Sequence, residues 1–362
     1  MDRLTRESLF RAFVRAPIRA AVLATLAATF AGPPASAAES IPWIDAHTHF
    51  VCERTPCGQV ADTAVEKMDE AGVRLSVVMS PPRPDSKGLD HAELRGATNR
   101  HPGRFVLMGG GDILNPMIVG TPPDQVSPAL KQRFATAAEA ILAAGVKGFG
   151  EMGAHHLSRV SGHPSYWTPP DHSLFLLLAD IAGRQGVPID LHMEPVSEDG
   201  APSPKLFADL NPPTMRENMR AFERLLAHNR EAIIVWAHAG RDQTRFWTPA
   251  LSRELFERHP NLHMSLAVRS KMTPAPFQAM TLDGLLKPAW SKLIEDFPDR
   301  FVIGTDRFYA YGRTGGPADT FAQRSADFTE GARVLLAQLS PGVARKVACE
   351  NAERIYRLGR VC

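Results

Sequence analysis

Six side chains with the chemistry of metal ligands stand at regular places in this 362-residue chain. His47 and His49 lie one residue apart in the stretch 41–51, IPWIDAHTHFV. Glu151 ends VKGFGE, His192 ends VPIDLH, His238 ends AIIVWAH, and Asp306 follows RFVIGT directly. Each stands where an apolar run stops. Imidazole nitrogens and carboxylate oxygens suit a divalent ion better than they suit a hydrophobic core. A lone His-x-His in a chain with 13 histidines is a weak signal. Six such groups on five apolar runs are much harder to explain as satisfied structural residues.

The elements that must carry these groups follow from periodicity. On a strand, Asp45, His47 and His49 share one face. Eight strand candidates are read at 43–50, 74–79, 105–109, 146–151, 187–192, 232–238, 261–267 and 300–305. Helical patterns lie between most of them, at 62–71, 129–144, 174–185, 215–229 and 250–258, and the first three of these end at Gly72, Gly145 and Gly186. Repeated strand-then-helix units predict a parallel sheet, and eight of them in this length predict a (β/α)8 TIM barrel. An open doubly wound sheet is the alternative, but no G-x-G-x-x-G follows the first strand. The long segments 110–128, 152–172, 193–213 and 307–325 read as loops, and all follow strands. In a barrel, those loops build the active-site face. All six candidate ligands then fall on the C-terminal rim.

D-A-H-T-H on strand one, histidines ending strands five and six, and G-T-D after strand eight resemble the metal-dependent amidohydrolase superfamily. The segment 350–358, ENAERIYRL, resembles the closing helix of its amidohydrolase-related family. The resemblance runs from about residue 41 to the C-terminus and implies a metal-dependent hydrolase acting on a small molecule. It also offers two site designs. Gly150-Glu151-Met152-Gly153 is similar to the G-E-x-G of the superfamily's metal-dependent deoxyribonucleases, in which a glutamate ligates the metals. A carboxylated Lys147 is the other choice on strand four, lower in the barrel. The two-metal reading places His47, His49 and Asp306 on one ion and His192 and His238 on a second, with Glu151 bridging. The single-metal reading uses His47, His49, His192 and Asp306 and leaves His238 to polarise substrate, as in the decarboxylase and hydratase branches.

Two ions ~3.5–4 Å apart can share a hydroxide and polarise a scissile carbonyl or phosphoryl oxygen. Asp306 is then the expected proton shuttle and His238 a second catalytic group. The N/O ligand set suits Zn2+, with Mn2+, Fe2+ or Co2+ as alternatives. Asp45 and Asp190 share parity with His47 and His192, so each is read either as a partner that orients an imidazole or as a buried structural group. Arg83, Arg241 and Arg269 follow strands two, six and seven and are candidate substrate-binding residues for a carboxylate or phosphate. Arg245 and Arg307 lie in the same loops. Trp167, Trp247, Phe308, Tyr309 and Tyr311 are candidate walls for an apolar or aromatic substrate. His155, His156, His163 and His172 crowd the segment after strand four and receive no role.

Three functions are therefore weighed. One is a hydrolase of a small ester, lactone, amide or phosphoester. Another is a single-metal decarboxylase or hydratase of an unsaturated or aromatic carboxylic acid. The last is a ligand-binding barrel without catalysis, which six ligands argue against because a closed structural zinc site needs four. A net charge of +2 gives no footprint for nucleic acid. Residues 1–38 carry a surplus of three positive charges, which leaves the remainder at −1. Their arginines precede the apolar run 20–31 and then Ala35-Ser36-Ala37-Ala38, the layout of a cleaved secretory signal peptide. A single domain of 39–362 is expected to be exported, periplasmic or secreted, with no membrane segment left after cleavage. In such a compartment Cys52, Cys57, Cys349 and Cys362 can form disulfides, in any of three pairings. Homo-oligomerisation is left open.

Overall fold

Most strand residues of this chain are buried, as in strands covered by helices on one side and by a filled barrel on the other. In the computed structural model, the described residues are 41–52, 55–85, 91–158, 164–202, 210–270, 278–310 and 317–362. They belong to one compact unit, Ile41–Cys362. The expected leader, His163 and Tyr311 lie outside them.

The strands are β1 (Trp43–Val51), β2 (Val73–Val78), β3 (Phe105–Leu107), β4 (Gly109–Gly110), β5 (Phe149–His156), β6 (Tyr166–Trp167), β7 (Pro188–Met193), β8 (Ile233–Ala239), β9 (Leu262–Leu266), β10 (Phe301–Ile303) and β11 (Arg307–Ala310). β11, β1, β2 and β3 form one parallel sheet. β10, β9, β8, β7, β5 and β4 form another. Two strand positions belong to both. β3 and β4 are halves of one run, bridged where Met108 N–H donates to Val78 O at 3.0 Å. β10 and β11 are halves of another, bridged where Gly304 N–H donates to Leu266 O at 3.1 Å and Asp306 N–H to His47 O at 3.0 Å. The ring therefore closes through eight positions, the (β/α)8 barrel that the sequence pattern predicts. β6 lies outside the ring as an antiparallel flap on β5.

The outer layer comprises α1 (Cys57–Ala71), α2 (His91–Thr98), α3 (Leu114–Val119), α4 (Pro128–Ala143), α5 (Ser173–Gln185), α6 (Met219–His228), α7 (Pro249–Arg258), α8 (Pro288–Asp296), α9 (Pro317–Leu336), α10 (Pro341–Arg345) and α11 (Asn351–Ile355). Local chemistry sets several ends. Ser127 and Thr248 accept from Leu130 N–H and Leu251 N–H at 3.2 and 3.1 Å, and each is followed by proline at the first helical position. α1 stops at Gly72, whose φ of 73° lies in the left-handed region that glycine adopts without cost.

The structure departs from the sequence reading in three places. The fourth strand was expected at 146–151; β5 instead starts at Phe149 and continues to His156. The glycine pair at 145 and 148 keeps the chain in a turn longer, so Lys147 falls before the strand. The expected loop 110–128 contains α3 and a 3-10 turn, and 307–325 contains β11 and the start of α9. Both are short or interrupted by proline, so periodicity is hard to see. Helices α2 and α8 likewise had no reading. Disulfides join Cys52 to Cys57 and Cys349 to Cys362, fastening the end of β1 to α1 and the C-terminus to the segment before α11.

Candidate metal centre

Glu151 stands in the middle of β5 and divides the cluster with its two oxygens. Oε2 lies 3.5 Å from His47 Nε2 and 3.4 Å from His49 Nε2. Oε1 lies 2.7 Å from His192 Nδ1 and 3.1 Å from His238 Nε2. On the first side, the Nε2 atoms of His47 and His49 are 3.1 Å apart, and Asp306 Oδ1 is 3.4 Å from that of His49. On the second, His192 Nδ1 and His238 Nε2 are 3.0 Å apart. All six candidate ligands are thus brought together.

These separations test the fit to a metal. Ligands held about 2.0–2.1 Å from one tetrahedral ion lie about 3.3 Å from each other. Most of the spacings fall near that value. Neutral imidazole nitrogens and ionised carboxylate oxygens at such distances repel unless a cation or protons lie between them. The donor set of histidine nitrogens and carboxylate oxygens fits a divalent ion. His47, His49 and Asp306 form one group of possible ligands, and His47, Glu151 and His238 another.

The carboxylates and imidazoles of the cluster shift one another's titration against burial. Burial disfavours a charge on His47, but Asp190 and Glu151 override it and raise its pKa well above the usual range. Burial likewise opposes His192, which Glu194 and Glu151 push up to about 10. Burial would raise Glu151, yet the imidazoles, His47 foremost, hold it well below its ordinary value. Asp306 is lowered against burial by His238, His49 and Arg241. His238 moves the other way: burial lowers it.

The neighbours of the rings fix which nitrogen faces inward. His47 Nδ1 lies 3.2 Å from Asp190, and His49 Nδ1 lies 2.8 Å from Met79 O. Asp190 thus takes up the orienting position. Asp45 does not: it accepts Thr305 N–H at 2.9 Å and the Thr305 hydroxyl at 2.5 Å, tying β1 to the end of β10. A register shift in β1 between Asp45 and Thr48 breaks the simple face-sharing that alternation implies. His238 and Asp306 adopt φ of 72° and 54°, a left-handed backbone uncommon for such residues and concentrated at functional sites.

The three arginines separate. Arg241 lines a small cavity over the cluster and donates from Nη1 to Asp306 Oδ2 at 2.6 Å. Arg83 instead donates to Asp85 at 3.1 Å, and Arg269 lies with its guanidinium 4.9 Å from the Phe328 ring centre. Neither lines that cavity, so substrate contact is not carried forward for them. Arg307 donates to the Thr329 hydroxyl. Of the aromatic candidates, Phe308 lines the cavity and lies over His49, with ring centres 4.5 Å apart. Trp247 stacks on Trp236 in the core, and Tyr309 is buried beside Phe50. Trp167 lines a neighbouring cavity of about 650 Å³.

Sequence reasoning missed Glu194 and His156. Glu194 lies 3.2 Å from His192 Nε2, and His156 lines both cavities. The signal for Glu194 was present, since L-H-M-E places it two residues after His192 and on its face. His156 was hidden by ending the strand at 151. His172, by contrast, caps α5 by accepting from Leu174 N–H.

The profile of the amidohydrolase family matches residues 44–358. No curated protein sequence matches the chain. Among solved structures, an uncharacterised TIM-barrel protein of Bordetella bronchiseptica is similar at 15% identity and a TM-score of 0.52, over 88% of this chain and 99% of that one. A dihydroxybenzoic acid decarboxylase of Polaromonas sp. JS666, solved with manganese, is 15% identical with a TM-score of 0.46, over 88% and 97%. A probable 2-pyrone-4,6-dicarboxylic acid hydrolase of Acinetobacter baumannii is 10% identical with a TM-score of 0.47, over 87% and 99%.

Proposed function

The chain belongs to the amidohydrolase family, and on that premise we propose that it is a two-metal hydrolase of a small ester, lactone, amide or phosphoester. The observation that carries this reading is the division of Glu151, with one oxygen toward His47 and His49 and the other toward His192 and His238. A carboxylate serving one ion has no need to face both groups. His47, His49 and Asp306 would hold the first ion, His192 and His238 the second. Zinc is the proposed metal, with manganese, iron or cobalt accepted by the same ligands.

Divalent metal at these residues supplies Lewis acidity toward a carbonyl or phosphoryl oxygen and brings the pKa of a nearby water toward ~7. Asp306 Oδ1 faces the cluster and takes the proton of the attacking water, then returns it to the leaving group. Arg241 orients that carboxylate through Oδ2. The buried Nε of Arg241 has no hydrogen-bond partner among the described residues. It is the group we assign to a substrate carboxylate or phosphate. Pro81, Pro82 and Phe308 wall the cavity of about 50 Å³ above the cluster and limit water there. A reacting group of a few atoms fits, with the rest of the substrate outside.

We also propose that the protein works after export. The leader-like composition of residues 1–38 and two disulfides support that reading. No described helix is long and apolar enough to cross a membrane.

One observation favours the single-metal decarboxylase or hydratase. Among the described residues, His238 Nδ1 is buried without a hydrogen-bond partner, unlike the outward nitrogens of the other three rings. Metal content of the Glu151→Ala variant separates the readings. The two-metal reading expects the variant to bind about one ion fewer per chain than wild type, with turnover of an ester or lactone down roughly 100-fold or more. Equal metal content in the two proteins would refute it and leave the decarboxylase.

A further inference from the structure

The geometry points to an outer cation site made by His156, His192 and Glu194, which shares the His192 ring with the inner cluster and takes a borderline divalent ion such as zinc. This inference rests on the reading of His192 as an inner ligand.

Both ring nitrogens of His192 face polar groups. His192 Nδ1 faces inward to Glu151 and His238. Its Nε2 faces outward, where three atoms converge on it. Glu194 Oε1 and Oε2 are each 3.2 Å away, and His156 Nδ1 is also 3.2 Å away. Nε2 carries at most one proton, so it can donate to one of the three. Equal approach by both carboxylate oxygens, at a distance long for a charge-assisted bond, is poor geometry for a single N–H. It is good geometry for ligands around one ion. Atoms bound about 2.0–2.1 Å from a tetrahedral centre lie about 3.3 Å apart.

All three residues are buried, at 8%, 8% and 5% exposure for His156, His192 and Glu194. Each is held from behind. β5 delivers His156 opposite Tyr166 in β6, and the two rings lie 5.5 Å apart. Gln243 Nε2 donates to Glu194 Oε1 at 3.0 Å. The amide oxygen of Gln243 is buried and finds no hydrogen-bond partner among the described residues. The Gln243 residue lines the cavity together with His156 and His192. Two nitrogens and one carboxylate suit zinc or copper better than magnesium or calcium.

The proton balance is explicit. With the outer site vacant, Nε2–H of His192 donates to Glu194. As the ion binds, that proton leaves to solvent and the Nε2 lone pair becomes a ligand. With inner and outer ions both present, His192 is a bridging imidazolate, and Glu194 neutralises part of the added charge.

Zinc binding by equilibrium dialysis against the metal alone tests this, comparing wild type with His156→Phe, which keeps a ring of similar volume and removes the ligand. The wild type is expected to bind one ion more per chain than the variant. Equal stoichiometry would overturn the outer site and reduce Glu194 to a hydrogen-bond partner of His192. The difference does not depend on whether the inner cluster holds one ion or two. His47→Ala reports on the inner reading separately. If it binds as much zinc as wild type, the inner assignment fails, while an ion lost in His156→Phe still stands. Should His156→Phe fail to fold, cobalt titration of the wild type decides. A further tetrahedral visible band after the inner equivalents supports the site, and saturation without it refutes the proposal.

Discussion

Asp190→Asn isolates what a buried carboxylate does for a ligand it never replaces. Asp190 lies 3.2 Å from His47 Nδ1, and both side chains are wholly shielded from solvent. As a carboxylate it can only accept, so it selects the tautomer with the proton on Nδ1 and leaves the Nε2 lone pair toward Glu151. Asparagine has nearly the same shape. It can still accept through its carbonyl but lacks the charge that makes such a bond roughly twice as strong. Its amide can also rotate and donate to Nδ1, which puts the ring proton on Nε2, where the metal must bind. Loss of partners of this kind weakens metal affinity by about 10- to 100-fold. Water cannot stand in at a fully buried pair, so the upper end is expected, about 2.7 kcal/mol. The assay is zinc competition against a chromophoric chelator, with thermal unfolding in excess chelator as the control for folding. Asp190→Ala should lose at least as much, since it leaves Nδ1–H without an acceptor. If Asp190→Asn binds zinc within about threefold of wild type, the carboxylate does not set the His47 ring and the reasoning fails.

Two further outcomes follow from the geometry. The His192 pKa of the metal-free protein is raised from 6.5 to about 10 by Glu194 and Glu151 acting against burial. A raised pKa stabilises the fold fully below ~6.5, and that contribution is lost as pH climbs through about 10. The melting temperature of chelator-treated protein should therefore fall between pH 7 and 10 more steeply than that of zinc-loaded protein, in which this proton is displaced; parallel curves in calorimetry would contradict the assignment. Gly304→Ala is a steric counterpart. A Cβ there would sit 2.7 Å from the Ser265 Cβ and 2.9 Å from the His47 Cβ. The strand bearing His47 must shift, at a cost of about 1–3 kcal/mol in stability, and turnover should drop by about 100-fold. Gly342→Ala, where a Cβ meets nothing within 4 Å, is the control.

The barrel and its candidate ligands were legible because each sits where an apolar run ends. His192 and His238 lie in or beside β-branched, aliphatic runs whose burial on both faces leaves no doubt about strand character. The rest depended on information that a linear pattern lacks. β5 reads weakly as a strand because FGEMGAHH has two glycines and three ionisable groups. It is nonetheless a strand because β4 and β7 supply its backbone partners. The five-residue extension beyond 151 is what brings His156 to His192. Arg83, Arg241 and Arg269 were indistinguishable in sequence, each being an arginine after a strand. Their fates differ because Asp85 lies beside the first, Asp306 beside the second and Phe328 beside the third. Partners 65 or 59 residues apart cannot be read from spacing. Asp45 and Asp190 posed the same problem, and the answer lay in which ring or hydroxyl the barrel closure placed against each.

The unequal support of the four imidazoles bears on what the site does. His47 has Asp190 behind it, His49 has a backbone carbonyl, and His192 has Glu194, with a proton or an outer cation between them. Each of these rings is locked, with a defined nitrogen facing Glu151. His238 is different. Its Nδ1 is buried, 4.0 Å from Asp306 Oδ2, and has no hydrogen bond among the described residues. Its pKa is lowered, first by burial, while those of His47 and His192 are raised. Its backbone is in the left-handed region, a conformation that the surrounding barrel must hold in place. A neutral ring with one unsatisfied nitrogen beside the proton-carrying carboxylate is the member of the cluster able to change partner during a reaction. As a fixed ligand it would gain from an acceptor on Nδ1, and the described residues supply none. The tension between the two metal stoichiometries therefore comes down to this ring. If Glu151→Ala binds one ion fewer than wild type, His238 is a ligand held mainly by the metal and by Glu151. If the two bind equally, His238 is the group that meets the substrate.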